Sequence, residues 1–209
     1  MIIAIDGAST DLSVALAEPD GSLIAEDAWS GTQRQSAELL PRVLALLAQA
    51  DRPIAEVTAL AVGTGPGSFT GLRVAMALSK GLAAGLARPI VGVPSLPAWL
   101  DADPDAAAAV ARAGARDAYL LVRGADEPRI LDRDELASVP RPLVAAAELA
   151  AAFELDGAHA PRGAGAIARR AAARLASAPG GDDVANLEPI YLRAPRGAAA
   201  ESTERVTWL

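Results

Sequence analysis

Val62-Gly63-Thr64-Gly65-Pro66-Gly67-Ser68-Phe69-Thr70-Gly71-Leu72-Arg73 decides how this chain folds. The apolar run at 57–62 reads as a buried strand, and an alanine- and leucine-rich helix starts near Ser68 or Thr70. Glycines 63, 65 and 67 permit positive φ angles and close backbone approach, and Pro66 stiffens the turn between them. Such a turn aims unpaired N–H groups and the positive end of the helix dipole at one point, which suits a phosphate or another anion. No Lys-Ser/Thr closes it as in a P-loop, and its spacing is not G-x-G-x-x-G. A purely structural strand–turn–helix joint accounts for the same residues, with Ser68 as the helix N-cap rather than a nucleophile. Asp6, Gly65, Gly67 and Ser68 are therefore candidate anion or nucleotide contacts, weighed against a joint that binds nothing.

Outward from this stretch, the N-terminus supplies three short strands. Residues 1–5 form an apolar run closed by Asp6-Gly7, residues 12–18 alternate, and Pro19-Asp20-Gly21 turns the chain into a third strand over 22–29. Helices are expected over about 36–50 and 70–87, with strands at 57–62 and 89–93. The order βββ-α-β-α-β predicts an α/β fold with a mixed five-stranded sheet flanked by helices. Breakers and acids gather after Val93 (Pro94, Pro97, Asp101, Asp103, Pro104, Asp105), which marks a domain boundary. Beyond it, strands are expected at 119–122, after Asp126-Glu127-Pro128, and at 140–144, with helices over 146–153 and 166–176. No internal sequence period is visible. The reading is a first lobe at 1–97, a smaller second lobe at 98–188, and a segment 189–209 returning toward the first.

Composition removes several function classes. The 209 residues carry a net charge of −7, so the chain has no general attraction to nucleic acid or anionic lipid. It contains no cysteine, which excludes disulfides, thiolate catalysis and cysteine metal sites. His159 stands alone in a loop and reads as a surface residue. Asp6, at the end of the first strand, either holds a magnesium ion or polarises a water, or else caps local N–H groups. No base–nucleophile pair and no metal set emerges. The most apolar window, 81–100, carries Arg88 and three prolines, so it cannot cross a membrane as one helix, and a cytoplasmic protein is the expectation.

The two first-lobe helices are more apolar than a sheet requires. On a helical wheel the large apolar residues of the first span about 160° and those of the second roughly 200°, against about 100° for a helix lying on one sheet. Either the two helices cover each other and the sheet, or a second face is covered by another domain or chain.

Ile3-Ala4-Ile5-Asp6-Gly7-Ala8, Arg34-Gln35-Ser36-Ala37-Glu38-Leu39-Leu40-Pro41, the run from Gly65 to Val74, and Pro189-Ile190-Tyr191-Leu192-Arg193 together resemble the TsaB (YeaZ) family of bacterial tRNA threonylcarbamoyladenosine biosynthesis proteins. The resemblance implies an actin-like, ribonuclease-H-like fold of two related lobes. It also implies a non-catalytic role in threonylcarbamoyl transfer to the adenosine next to the anticodon of tRNAs reading A-starting codons. In that family a TsaD-like paralogue is the transferase and carries the metal, a TsaE-like ATPase joins the complex, and tRNA is met through the complex. ATP and magnesium belong to the complex, none being bound by this chain alone. The paired histidines of TsaD have no counterpart in Gln33-Arg34-Gln35-Ser36-Ala37-Glu38. The family contact is a bundle of the two first-lobe helices, which makes Leu40, Val43, Leu44, Leu47, Leu72, Met76 and Ser79 the interface candidates, and a homodimer through the same surface is implied when the partner is absent. The competing reading is an ATP-dependent small-molecule kinase, or another actin-like ATPase, using Asp6 and the glycine turn.

Overall fold

The computed structural model describes residues 1–31 and 35–190. Gln33, Arg34, the Tyr191-Leu192-Arg193 motif and residues 194–209 lie outside them. The first sheet contains β1 (Ile2–Asp6), β2 (Asp11–Ala17), β3 (Leu23–Ser30), β4 (Ala59–Gly63) and β5 (Ile90–Val93), in the order β3-β2-β1-β4-β5. Central β1 pairs antiparallel with β2 and parallel with β4, so the sheet is mixed as its element order predicts. Helix α1 (Gln35–Gln49) joins β3 to β4, and α2 (Phe69–Leu86) joins β4 to β5.

The inner strands of this sheet alternate in size rather than in polarity, because both of their faces are buried. Ile3, Ile5, Leu60 and Val62 point into a core of large side chains beneath α1 and α2. Ala4, Ala15, Ala17, Ala59 and Ala61 point the other way, where α6 (Ala164–Ser177) lies on them with its own alanines 164, 166, 168, 171 and 172. Small residues on both partners let that helix approach the sheet closely, so alanine does the work that aromatics do elsewhere. Polar groups fix its start: Ser13 Oγ accepts from Ala164 N (3.1 Å) and Glu26 Oε1 accepts from Gly165 N (2.8 Å). Both meet N–H groups that have no intrahelical acceptor, at the positive end of the helix.

Beyond β5 the chain forms α3 (Ser95–Ala102), then β6 (Ala108–Arg112), β7 (Asp117–Val122), β8 (Arg129–Asp132), the short α4 (Arg133–Leu136), β9 (Leu143–Ala145), α5 (Ala147–Phe153) and β10 (Ala158–His159). The second sheet has the order β8-β7-β6-β9-β10, with β6 antiparallel to β7 and parallel to β9. That is the arrangement of the first sheet element for element. The two lobes are one topology used twice, although no sequence period announces it. Each lobe lends its last helix to the other: α6, from the second half, covers the first sheet, while α3 supplies Leu96, Trp99 and Leu100 to the inner face of the second.

Helix α3 falls where the sequence reads as breakers. Its prolines explain the misreading, since Pro94 is the N-cap and Pro97 sits in the first turn, where a missing N–H costs nothing. Strand β6 likewise has no counterpart in the sequence expectation, because Ala108-Ala109-Val110-Ala111 carries little strand signal outside its burial.

The glycines of α2 divide into two kinds. Gly71 is pressed against the Gly7 carbonyl, so a Cβ there would collide with backbone. At Gly81 and Gly85 a Cβ would meet nothing. Each of the latter costs the helix about 1 kcal/mol relative to alanine. Gly81→Ala and Gly85→Ala are therefore expected to raise urea-unfolding stability by about 1 kcal/mol each, whereas Gly71→Ala should lower it by about 3 kcal/mol.

Candidate functional site

The ends of β1, β4 and β5 converge where the lobes meet. Asp6 closes β1 there and is 3% exposed. Its Oδ1 accepts from Ser95 Oγ (2.9 Å) and from Ala8 N (3.2 Å), and its Oδ2 accepts from Trp99 Nε1 (2.5 Å). Gly63 lies against one oxygen and Gly163 against the other, with Trp99 packed on Gly163, and a side chain at either glycine would displace the carboxylate. Burial pushes the Asp6 pKa up, and the bonds from Trp99, Ser95 and Ala8 pull against it. The carboxylate is thus enclosed by indole, hydroxyl and backbone. It faces α3 rather than an open cleft, and a metal ion would have to displace Trp99 to reach it.

The glycine turn is equally engaged. Gly65, at φ 86°, donates its N–H to Ser95 Oγ (3.1 Å), and Ser95 N returns a bond to Gly65 O (2.9 Å). Thr64 N bonds to Val93 O and Ser68 N to Ala8 O (2.8 and 2.7 Å). Gly67 passes so close to the Ala8 carbonyl that a Cβ would overlap it. Ser68 caps α2, its Oγ accepting from Gly71 N (3.3 Å). The expected convergence of free amides is not how these groups are arranged: Thr64, Gly65, Ser68 and Gly71 all find acceptors inside the chain. The turn clamps α2 to the β1–β2 corner on one side and to α3 on the other.

Ser68 also lines a cavity of about 190 Å³ between the lobes, with Ser9, Thr10, Arg112, Glu148 and Leu149. Arg112 spans it to Glu148 (3.3 Å), and below, Asp11 Oδ2 accepts from Ala147 N at the start of α5 (3.0 Å). His159 is exposed at the surface, as its loop position predicts, and it also holds Asp103 at the end of α3 through Nδ1 (2.5 Å), keeping that carboxyl below its usual range. Among the described residues no three of His, Cys, Asp and Glu gather as a metal set.

The outer surface of α1 and α2 is the other feature of note. Leu40 and Leu44 project into solvent at 38% and 48% exposure, and Phe69, at the start of α2, at 42%. Val43, Leu47, Leu72, Met76 and Ser79 are buried in the chain's own core, which corrects their choice as partner contacts. The reason is geometric: the stripe facing the sheet holds the largest side chains, so the centre of an apolar arc selects inward residues. Outward positions are marked by smaller ones, Ala77, Gly81 and Gly85 on α2 and Ala37, Ala45 and Ala48 on α1. Sequence reasoning missed Ser95, Trp99 and Gly163 at the lobe junction. A helix start tolerating prolines, with a tryptophan at its fifth residue, was the available signal.

Asp6→Ala leaves the buried Trp99 N–H without an acceptor and is expected to cost about 3 kcal/mol in urea unfolding. Asp6→Asn can still accept from Trp99 and donate to Ser95 Oγ. Because the folded-state pKa of Asp6 is raised, folding takes up a proton above the ordinary carboxylate pKa, and its contribution falls as pH rises from about 4. The asparagine variant should therefore gain stability relative to the parent chain as pH is raised from 4 to 7, a trend that denaturation at several pH values will check.

A family model described as TsaD, tRNA N6-adenosine threonylcarbamoyltransferase, matches residues 30–154, more than half of the chain. The tRNA threonylcarbamoyladenosine biosynthesis protein TsaB of Escherichia coli is 38% identical over 95 residues, covering 46% of this chain and 40% of that protein. Bacillus subtilis TsaB is 37% identical over 95 residues, 46% of this chain and 41% of its own length. The match thus spans less than half the length of these relatives. Two solved structures superpose over nearly their whole length. YeaZ from Pseudomonas aeruginosa has a TM-score of 0.69 at 22% identity, over 91% of this chain and 99% of that one. An uncharacterized protein with similarity to peptidase YeaZ from the same organism has a TM-score of 0.69 at 26% identity, over 92% and 99%. The chain belongs to the TsaD family as this model describes it, on its TsaB/YeaZ side.

Proposed function

We propose that this chain is a binding subunit in the biosynthesis of threonylcarbamoyladenosine in tRNA, acting by holding and activating a TsaD-like transferase rather than by catalysis of its own. The observation that carries the reading is the outer face of α1 and α2. A helix packed on a sheet normally turns charged residues to water, yet here the charge is confined to half-exposed Glu38 and Arg42, which pair with Trp29 and Asp27, and to Arg73 and Lys80 of α2, while Leu40, Leu44 and Phe69 add large apolar surface. Covering that face with a partner recovers about 25 cal/mol for each Å² of apolar area removed from water.

The lobe junction supports the same reading. Asp6 and the glycine turn serve to lock helix to helix, with hydrogen-bonding capacity spent on Trp99, Ser95 and backbone. A kinase would need that carboxylate open to a metal–phosphate group, and no observation favours that reading. Nucleotide, magnesium and a TsaE-like ATPase enter with the complex, and tRNA is reached through the partner, since a chain of net charge −7 brings little affinity for phosphate backbone. Among the described residues no helix is long and apolar enough to cross a membrane.

Leu44→Asp tests the face directly. Half-exposed Leu44 is tolerant of change, so the variant should unfold within about 0.5 kcal/mol of the parent. Its affinity for the TsaD-like paralogue of the same genome should fall at least about 100-fold, and threonylcarbamoyl transfer in the reconstituted system should fall with it. Undiminished binding by a folded Leu44→Asp chain would remove the proposed surface.

A further inference from the structure

The geometry points to a binding site for a small free α-amino acid in the cavity between the lobes. Arg112 takes its carboxylate, Glu148 its ammonium group, and Thr10 a hydroxyl on its short side chain. The inference stands apart from the partner face, because none of the lining side chains belongs to α1 or α2.

Size sets the first limit. The cavity holds about 190 Å³, below the roughly 300–1,000 Å³ that drug-sized ligands fill, so a nucleotide is too large for it. Thr10 and Ser68 reach it from the first lobe, and Val110, Ala111, Ala146 and Leu149 line it with apolar surface from the second. Thr10 Oγ1 is buried, and it has no hydrogen-bond partner among the described residues. A buried hydroxyl left in that state is unusual and costly, and a guest that bonds to it relieves the cost. Ser68 Oγ accepts from Gly71 N, which leaves its hydrogen for the same guest. Ser9 offers nothing more, since its hydroxyl is closed on the N–H and carbonyl of Asp11 (3.1 and 2.7 Å).

Charge sets the second. A cation and an anion stand together in the wall: Arg112 and Glu148 meet at 3.3 Å, with side chains 35% and 51% exposed. A pair so exposed contributes little to stability, so opening it around a zwitterion costs little. The Arg112 guanidinium is steadied by Gly114 O (3.4 Å) and lies 6.0 Å from the centre of the Phe153 ring. Its planar fork of N–H groups matches a carboxylate. A phosphate meets the opposing Glu148 carboxylate, and the backbone amide of Ala147 at the start of α5 is already taken by Asp11 (3.0 Å). A neutral or purely anionic guest leaves one of the two charges without its partner, whereas a free amino acid satisfies both.

The test titrates the isolated full chain by calorimetry, with L-serine as the probe and L-alanine, L-lactate, ethanolamine and inorganic phosphate as comparisons. L-Serine should saturate the chain with a dissociation constant of about 1 mM or lower. L-Alanine, which lacks the hydroxyl, should bind at least threefold more weakly. L-Lactate and ethanolamine, each missing one charge, should bind at least tenfold more weakly. Glu148→Gln alters an exposed position and should keep the parent melting temperature while weakening L-serine at least tenfold. Thr10→Val removes an unpaired buried hydroxyl, so it should melt no lower than the parent and should erase the preference for L-serine over L-alanine. Absence of saturation below about 10 mM overturns the inference. So does L-alanine, L-lactate or phosphate binding as tightly as L-serine, or either variant binding these probes as the parent does.

Discussion

A single carboxylate, buried and ionisable, holds the junction of this molecule together. Asp6 ends the central strand of the first sheet, and its oxygens are taken by Ser95 and Trp99 of α3, the helix that leads into the second. Burial of an acid is costly unless its acceptors are filled. Here they are filled by groups from the element that must be positioned, so cost and purpose coincide. Ser95 extends the bond to Gly65, and the glycine turn passes the constraint to the β1–β2 corner and the head of α2. The orientation of α2 descends from that one buried group.

This chain solves the packing problem without aromatic anchors. Its two tightest interfaces are backbone against backbone at Gly7, Gly67 and Gly71, and alanine against alanine between α6 and the first sheet. Apart from Trp99, the large fully buried side chains are aliphatic. Close approach replaces bulk. A composition of 52% hydrophobic residues with only 3% aromatics is thereby compatible with a well-filled core.

The first lobe was legible from its sequence because its signals are local. Strand runs alternate with Pro19-Asp20-Gly21 and the glycine turn, and helices carry a clear period, so β1 to β5, α1 and α2 fall within a residue or two of expectation. The second lobe was less so. Strand β6 is alanine-rich, and α3 starts among prolines that in isolation mark a boundary. The duplication of topology left no trace in the residues, since an order of strands is encoded by burial and connection rather than by repeated identity. At the site, Asp6 and Ser68 stood out by position, but their partners Ser95 and Trp99 did not, because a hydrogen bond across 89 or 93 residues has no sequence signature. The helix wheel selected the side of α1 and α2 that is buried on the sheet. It reports where large side chains lie, and in α2 the outward side is defined by their absence.

The exchange of last helices has a consequence for how the molecule comes into being. The small-residue face of the first sheet waits for α6, which spans Ala164–Ser177. During synthesis from the N-terminus, the first five strands emerge long before their lid exists. A ribosome-bound intermediate therefore carries a bare alanine-lined sheet, and that face closes only once the chain through Ser177 has emerged.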